Sequence, residues 1–124
     1  MFKARAATRL LLATTVSAGL AACGHTATPG ADRTVQIAVT EYRVTPQSIR
    51  TTAGELTLIV ENDGRLTHDL ALSIHGNIVG QTPPLQPGAD TALTLFLTPG
   101  TYLMTSTLFA DQALGTYGTL TVVS

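Results

Sequence analysis

"GTYLMTSTLFADQALGTYGTLTV", residues 100–122, is the stretch whose reading decides the fold. After the turn at Pro99–Gly100, Tyr102, Met104 and Ser106 fall on one face of an extended chain, with Leu103 and Thr105 on the other. Leu120 and Val122 resume the same period of two at the end of the chain. A period of two marks a half-buried strand, so the stretch predicts strand, loop, strand. The intervening "LFADQALG", 108–115, has room for one helical turn.

The same period continues outward from this corner. Val35, Ile37 and Val39 alternate with Gln36, Ala38 and Thr40; Leu56, Leu58 and Val60 alternate with Thr57 and Ile59. Leu70, Leu72 and Ile74 alternate with Ala71, Ser73 and His75, and Leu93, Leu95 and Leu97 follow with Thr94 and Thr98. Ala53–Gly54, Asp63–Gly64, His75–Gly76–Asn77, Pro87–Gly88 and Pro99–Gly100 separate the runs with residues suited to turns. No stretch carries a 3.6-residue period long enough for a substantial helix. The expectation is all-β: one antiparallel Greek-key β-sandwich of about seven short strands over residues 32–124.

The first residues belong to a different kind of segment. Lys3, Arg5 and Arg9 precede an apolar run from Leu10 to Leu20 that is too short to span a bilayer and ends in Leu20–Ala21–Ala22–Cys23. Residues 1–22 read as a signal peptide, and the tetrapeptide resembles the lipobox of bacterial lipoproteins. That resemblance implies cleavage before Cys23, a diacylglyceryl anchor on its sulfur and a place on the extracytoplasmic side of a cell-envelope membrane. Residues 23–31, rich in Gly, Thr, Ala and Pro, read as a flexible tether. Removing the leader leaves Arg33, Arg43, Arg50 and Arg65 against the eight acidic residues of the chain. Nucleic-acid binding needs clustered cations to neutralise phosphates, and four scattered arginines exclude it. Cys23 is the only cysteine, so the domain can hold no disulfide of its own.

From about Val39 to Val122 the chain resembles a cupredoxin. "YRVTPQSIRTTAGELTLIVENDGRLTHDLAL", "LQPGADTALTLFLTPGTY" and "GTYGTLTV" carry Pro-x-x-Ile, Ala-Gly, Asn-x-Gly-x-x-x-His, Pro-Gly-Thr-Tyr and Gly-Thr-Leu in family order. A type 1 copper site uses two imidazoles, a thiolate and a weak axial thioether. The resemblance implies that the first imidazole is His68, and that the other three ligand positions fall on Ser106, Asp111 and Thr116. Three of the four ligands are then missing while the surrounding frame is kept, and the fold is expected without its copper cofactor.

Each of these residues has a second reading. His68 shares parity with Leu70 and Leu72, which suits a hydrogen-bonded core histidine as well as a ligand. Met104 suits core packing, His75 solvent, and Asp63 and Asp69 the surface. His68 with Asp111, and Met104 besides, could hold copper weakly. The Cys23–Gly24–His25 end, with a free amine, would suit square-planar Cu(II) or Ni(II). Ser106, His68 and Asp111 could approach one another at one end of the sandwich, yet no Ser-His-Asp order, carboxylate pair or metal triad in the sequence points to an enzyme. Three functions follow: foremost a non-redox binding or assembly module with a protein partner still to be named, then a copper-handling protein, and last an electron carrier.

Overall fold

The computed structural model describes residues 25–124. The expected signal peptide over 1–22 and the expected anchor at Cys23, with Gly24, lie outside the described residues. Ten strands and one short helix follow: β1 (Thr26–Ala27), β2 (Thr34–Thr40), β3 (Arg43–Thr45), β4 (Ser48–Thr52), β5 (Gly54–Asn62), β6 (Ala71–Ile74), β7 (Asn77–Gln81), β8 (Asp90–Leu97), β9 (Gly100–Thr105), α1 (Asp111–Leu114) and β10 (Tyr117–Val123). A six-stranded sheet runs β1-β4-β10-β9-β6-β7 and a four-stranded sheet runs β3-β2-β5-β8.

The apolar positions of period two meet between the sheets. Ile37, Leu56, Leu58 and Leu97 come from the four-stranded sheet, and Ile49, Leu72, Met104 and Leu120 from the six-stranded one; all are almost completely buried. Burying such side chains is the main favourable term in the fold, roughly 1.5–3 kcal/mol each. Met104 packs as expected, with its Cε against Gly118, where a Cβ would stand 2.9 Å from it and 2.6 Å from Gln47 O. His75 is exposed in the turn between β6 and β7.

Two details differ from the expected sandwich. There are ten strands rather than about seven, because β1 and β3 are too short to leave a periodic signal and β6 and β7 form their own hairpin. The sheets are also mixed rather than antiparallel: β2 runs parallel to β5, and β4 runs parallel to both β1 and β10. Alternation reports which face is buried, whereas strand direction follows from where the chain crosses between sheets. Within the segment expected as a tether, Thr26–Ala27 pairs with Ser48–Ile49 and extends the six-stranded sheet.

Strand directions give the sandwich two unlike ends. At one end lie the last residues of β2, β5 and β9 and the first of β1, β4, β6 and β10. The His68 loop and the 106–116 loop meet there. At the other end Tyr102 OH donates to Thr98 O (2.9 Å) and accepts from Thr98 N–H (3.2 Å). Beside β4 and β5, Arg33 donates to Thr51, Thr52 and Glu55.

Candidate functional site

The loop after β5 fixes the first part of the site. Asn62 is fully buried; its side-chain amide donates to Leu66 O (2.8 Å) and Leu85 O (2.7 Å), and its carbonyl oxygen accepts from Gly64 N–H (2.8 Å). These bonds curl residues 62–66 so that the N–H groups of Arg65 and Leu66 converge on Glu41 (2.7–3.0 Å). His68 then exchanges backbone hydrogen bonds with Leu85, an isolated bridge that directs its imidazole inward.

The second part is the 106–116 loop. Asp111 opens α1, its carbonyl accepts from Thr116 N–H (2.9 Å), and Thr116 O accepts from Ser106 N–H (3.3 Å). Gly115 closes the turn at φ 122, where a Cβ would stand 2.9 Å from Tyr42 O. A left-handed backbone with no room beside it is a glycine position on both counts.

The parts meet in one buried chain of polar groups. His68, 1% exposed, donates from Nδ1 to Asp111 Oδ2 (2.6 Å) and from Nε2 to Glu41 Oε1 (2.8 Å). The Ser106 hydroxyl donates to the same Asp111 oxygen (2.6 Å) and lies 3.3 Å from Asp69 Oδ1. Asp69 accepts from Thr107 N–H (2.6 Å), the Thr107 hydroxyl (2.5 Å) and the Gln81 amide (2.9 Å). An imidazole facing carboxylates on both sides serves both only as a double donor, the imidazolium. Burial works to lower the His68 pKa, but the hydrogen bonds to Asp111 and Glu41 and the charges of both outweigh it, so the ring titrates above its ordinary value. The N–H groups of Arg65 and Leu66, more than the histidine, hold the Glu41 carboxyl down at about 2.

Sequence-identified residues therefore gather here, with differences. His68, Asp111 and Ser106 are in direct contact. Thr116 is buried and joins through its backbone, while its hydroxyl faces Thr40 O at 3.5 Å. Asp69, expected at the surface, is buried because three donors, the Gln81 amide and the Thr107 N–H and hydroxyl, satisfy it. Asp63 is exposed, and so is His25, the described member of the Cys23–Gly24–His25 motif. Glu41 was not singled out, and no spacing reveals it: it lies 27 residues before His68 and reaches the ring only because the β2–β3 turn stands over the loop. The order of contacts is Ser106, Asp111, His68, Glu41. The carboxylate stands between hydroxyl and imidazole, so His68 is not placed to take the Ser106 proton as a general base.

The overall architecture has known counterparts among solved structures. Auracyanin from Roseiflexus castenholzii, in its dithionite-reduced form, superposes with a TM-score of 0.67 at 22% identity, covering 77% of this chain and 100% of that one. The domain has the cupredoxin fold. Auracyanin A, a "blue" copper protein of Chloroflexus aurantiacus, gives a TM-score of 0.61 at 16% identity, over 77% of this chain and 99% of that chain. Reduced rusticyanin gives 0.64 at 19% identity, over 80% and 85%. No protein-family model and no curated protein matches the sequence.

A cupredoxin fold implies copper, and the side chains at this corner do not fit a type 1 ion. Residues 25–124 contain no cysteine to supply the thiolate. Both nitrogens of the one imidazole are committed to carboxylates. Among the described residues no group of three or more His, Cys, Asp or Glu side chains is arranged to hold a metal.

Proposed function

We propose that the chain is a lipid-anchored cell-envelope protein whose cupredoxin-like domain serves as a non-redox binding or assembly module. The observation that carries this reading is the His68 imidazole, clamped at Nδ1 by Asp111 and at Nε2 by Glu41. In this reading Ser106, Asp111 and Thr116 stand at former ligand positions, and a proton-filled network has replaced the metal. With both ring nitrogens protonated between carboxylates, the imidazolium has no lone pair left for a copper ion. Function then lies in surfaces that the rigid corner displays to a protein partner. The anchor is supported by the Leu20–Ala21–Ala22–Cys23 signal, and among the described residues no helix is long and apolar enough to cross a membrane.

Copper titration tests the reading. Cu(II) added to the purified protein is expected to give no intense sulfur-to-copper band and no tight stoichiometric heat of binding. A sub-micromolar site abolished by His68→Ala would overturn the proposal in favour of copper handling. The assignment of ligand positions has its own test, the triple change Ser106→Cys, Asp111→His, Thr116→Met. It removes the carboxylate from His68 Nδ1 and sets a thiolate and a second imidazole beside that nitrogen. Copper should then produce a coloured site. A folded triple variant with a titratable thiol and no such band would sink the mapping.

A further inference from the structure

Nine large apolar side chains are exposed among the described residues, and five of them, Tyr42, Leu66, Phe109, Leu114 and Tyr117, stand in or beside the loops at the His68 end. Phe109 is the extreme case. It is 92% exposed, and its backbone is left-handed at φ 53, a conformation that costs a side-chain-bearing residue roughly 1–2 kcal/mol. Phe109 and Tyr117, with Leu103, Ala110 and Ala113, line an open groove beside Ser106.

The register of β1 supplies the occupant. Thr26 pairs with Ser48, and Ser48 pairs with Thr119 of β10. Two strand spacings therefore separate Thr26 from Thr119, about 10 Å, and Tyr117 lies two residues closer to the loops, about 7 Å along the strand. All three strands are parallel, so β1 begins at the end of the sheet that carries the 106–116 loop. Cys23 is three residues before Thr26, and three residues reach at most about 11 Å. A lipid on Cys23 would thus hold a bilayer against the same end of the sandwich that carries the exposed aromatic and leucine side chains. The acidic Glu61, Asp63 and Asp90 stand at this end on the other sheet, at the end of β5 and the start of β8. An anionic surface is accordingly met by the β1–β10 side.

We infer that the domain lies on its membrane through this end, with Phe109, Leu114 and Tyr117 entering the lipid interface beside the anchor. The inference rests on the lipid-anchor reading and goes beyond it, since an anchor on a long free tether would leave orientation open. Apolar and aromatic side chains seated at the headgroup boundary add to a lipid anchor as a second attachment. They also fix which surfaces remain free: the Tyr102 end and the outer face of β8 point away from the bilayer.

Two exposed phenylalanines at opposite ends make the test direct. The chain has no tryptophan, so Phe109→Trp and Phe96→Trp each introduce a single one. Phe96 is 78% exposed and pairs with Glu55, far from the loops. Each lipid-bearing variant is reconstituted into phosphatidylcholine–phosphatidylglycerol vesicles whose acyl chains are brominated just below the headgroups. The Phe109→Trp indole is expected to shift to the blue and lose about half its emission, because interfacial side chains sit at that depth. The Phe96→Trp indole should be unchanged. Equal emission from the two in chains that float with the vesicles would overturn the inference. A blue shift at Phe109→Trp without bromine quenching would also overturn it, and would mean that a second copy covers the groove. The intact mass of the purified chain tests the anchor separately. Absence of a diacylglyceryl group on Cys23 would sink the anchor reading, while quenching of Phe109→Trp would still decide whether this end meets lipid.

Discussion

The two ends of the sandwich close the same apolar core by opposite means. At the Tyr102 end, tight turns such as Ala53–Gly54 and Pro99–Gly100 join the strands, with Tyr102 bonded back to Thr98. At the His68 end nearly every buried polar residue of the domain is concentrated; of those buried, only Thr51 lies at the opposite end. One end therefore tolerates change wherever turn geometry survives. The other is a set of mutually dependent charges, of which His68, Asp69 and Asp111 are buried and Glu41 keeps some contact with water. Low dielectric strengthens such a network when complete and makes any missing member costly.

Breaking the network should give the largest effect. Asp111→Ala leaves the His68 imidazolium without its Nδ1 acceptor and frees the Ser106 hydroxyl, and removing one partner of a buried ion pair costs about 3–5 kcal/mol. Urea unfolding measures it, and a loss below about 1 kcal/mol would show that the two ends are not different in kind.

The pH profile tests the same charges without a mutation. The His68 pKa is raised in the fold, so its contribution is fully present below the ordinary value of 6.5 and is lost as pH rises through the folded one. Glu41 is depressed from 4.5 to about 2, so its contribution is present above 4.5 and fades as pH falls toward 2. Denaturation midpoints should peak between these ordinary values and decline on both sides, and Glu41→Gln should flatten the acid limb. A midpoint that rises as pH climbs past 6.5 would contradict an ionised His68.

At the opposite end the expected change is small. Tyr102→Phe removes one hydroxyl and its bonds to Thr98, worth about 1 kcal/mol. A loss as large as that of Asp111→Ala would erase the contrast between the ends.

Most of the fold was legible because alternation survives in the sequence wherever one face is buried. Val35 to Val39, Leu56 to Val60 and Tyr102 to Met104 read as strands and are strands. β1 and β3, two and three residues long, offered no period to read. At the site, the loop pieces around His68, Ser106 and Asp111 were legible through their likeness to a known frame. Asp69 and Glu41 were not, since acidic residues beside loops are usually solvated.

By itself the sequence determined that this is a small all-β domain whose only cysteine, Cys23, precedes the first run of alternating residues. Which strands run parallel, that Glu41 closes over His68, that Asp69 is buried, and that Thr26–Ala27 joins the sheet beside β4 were decided by tertiary structure. The reason is the range of the interactions. Periodicity and turns act over a few residues, while a 2.6 Å bond between positions 68 and 111 exists only after two sheets have packed and shut out the water that would otherwise solvate both groups.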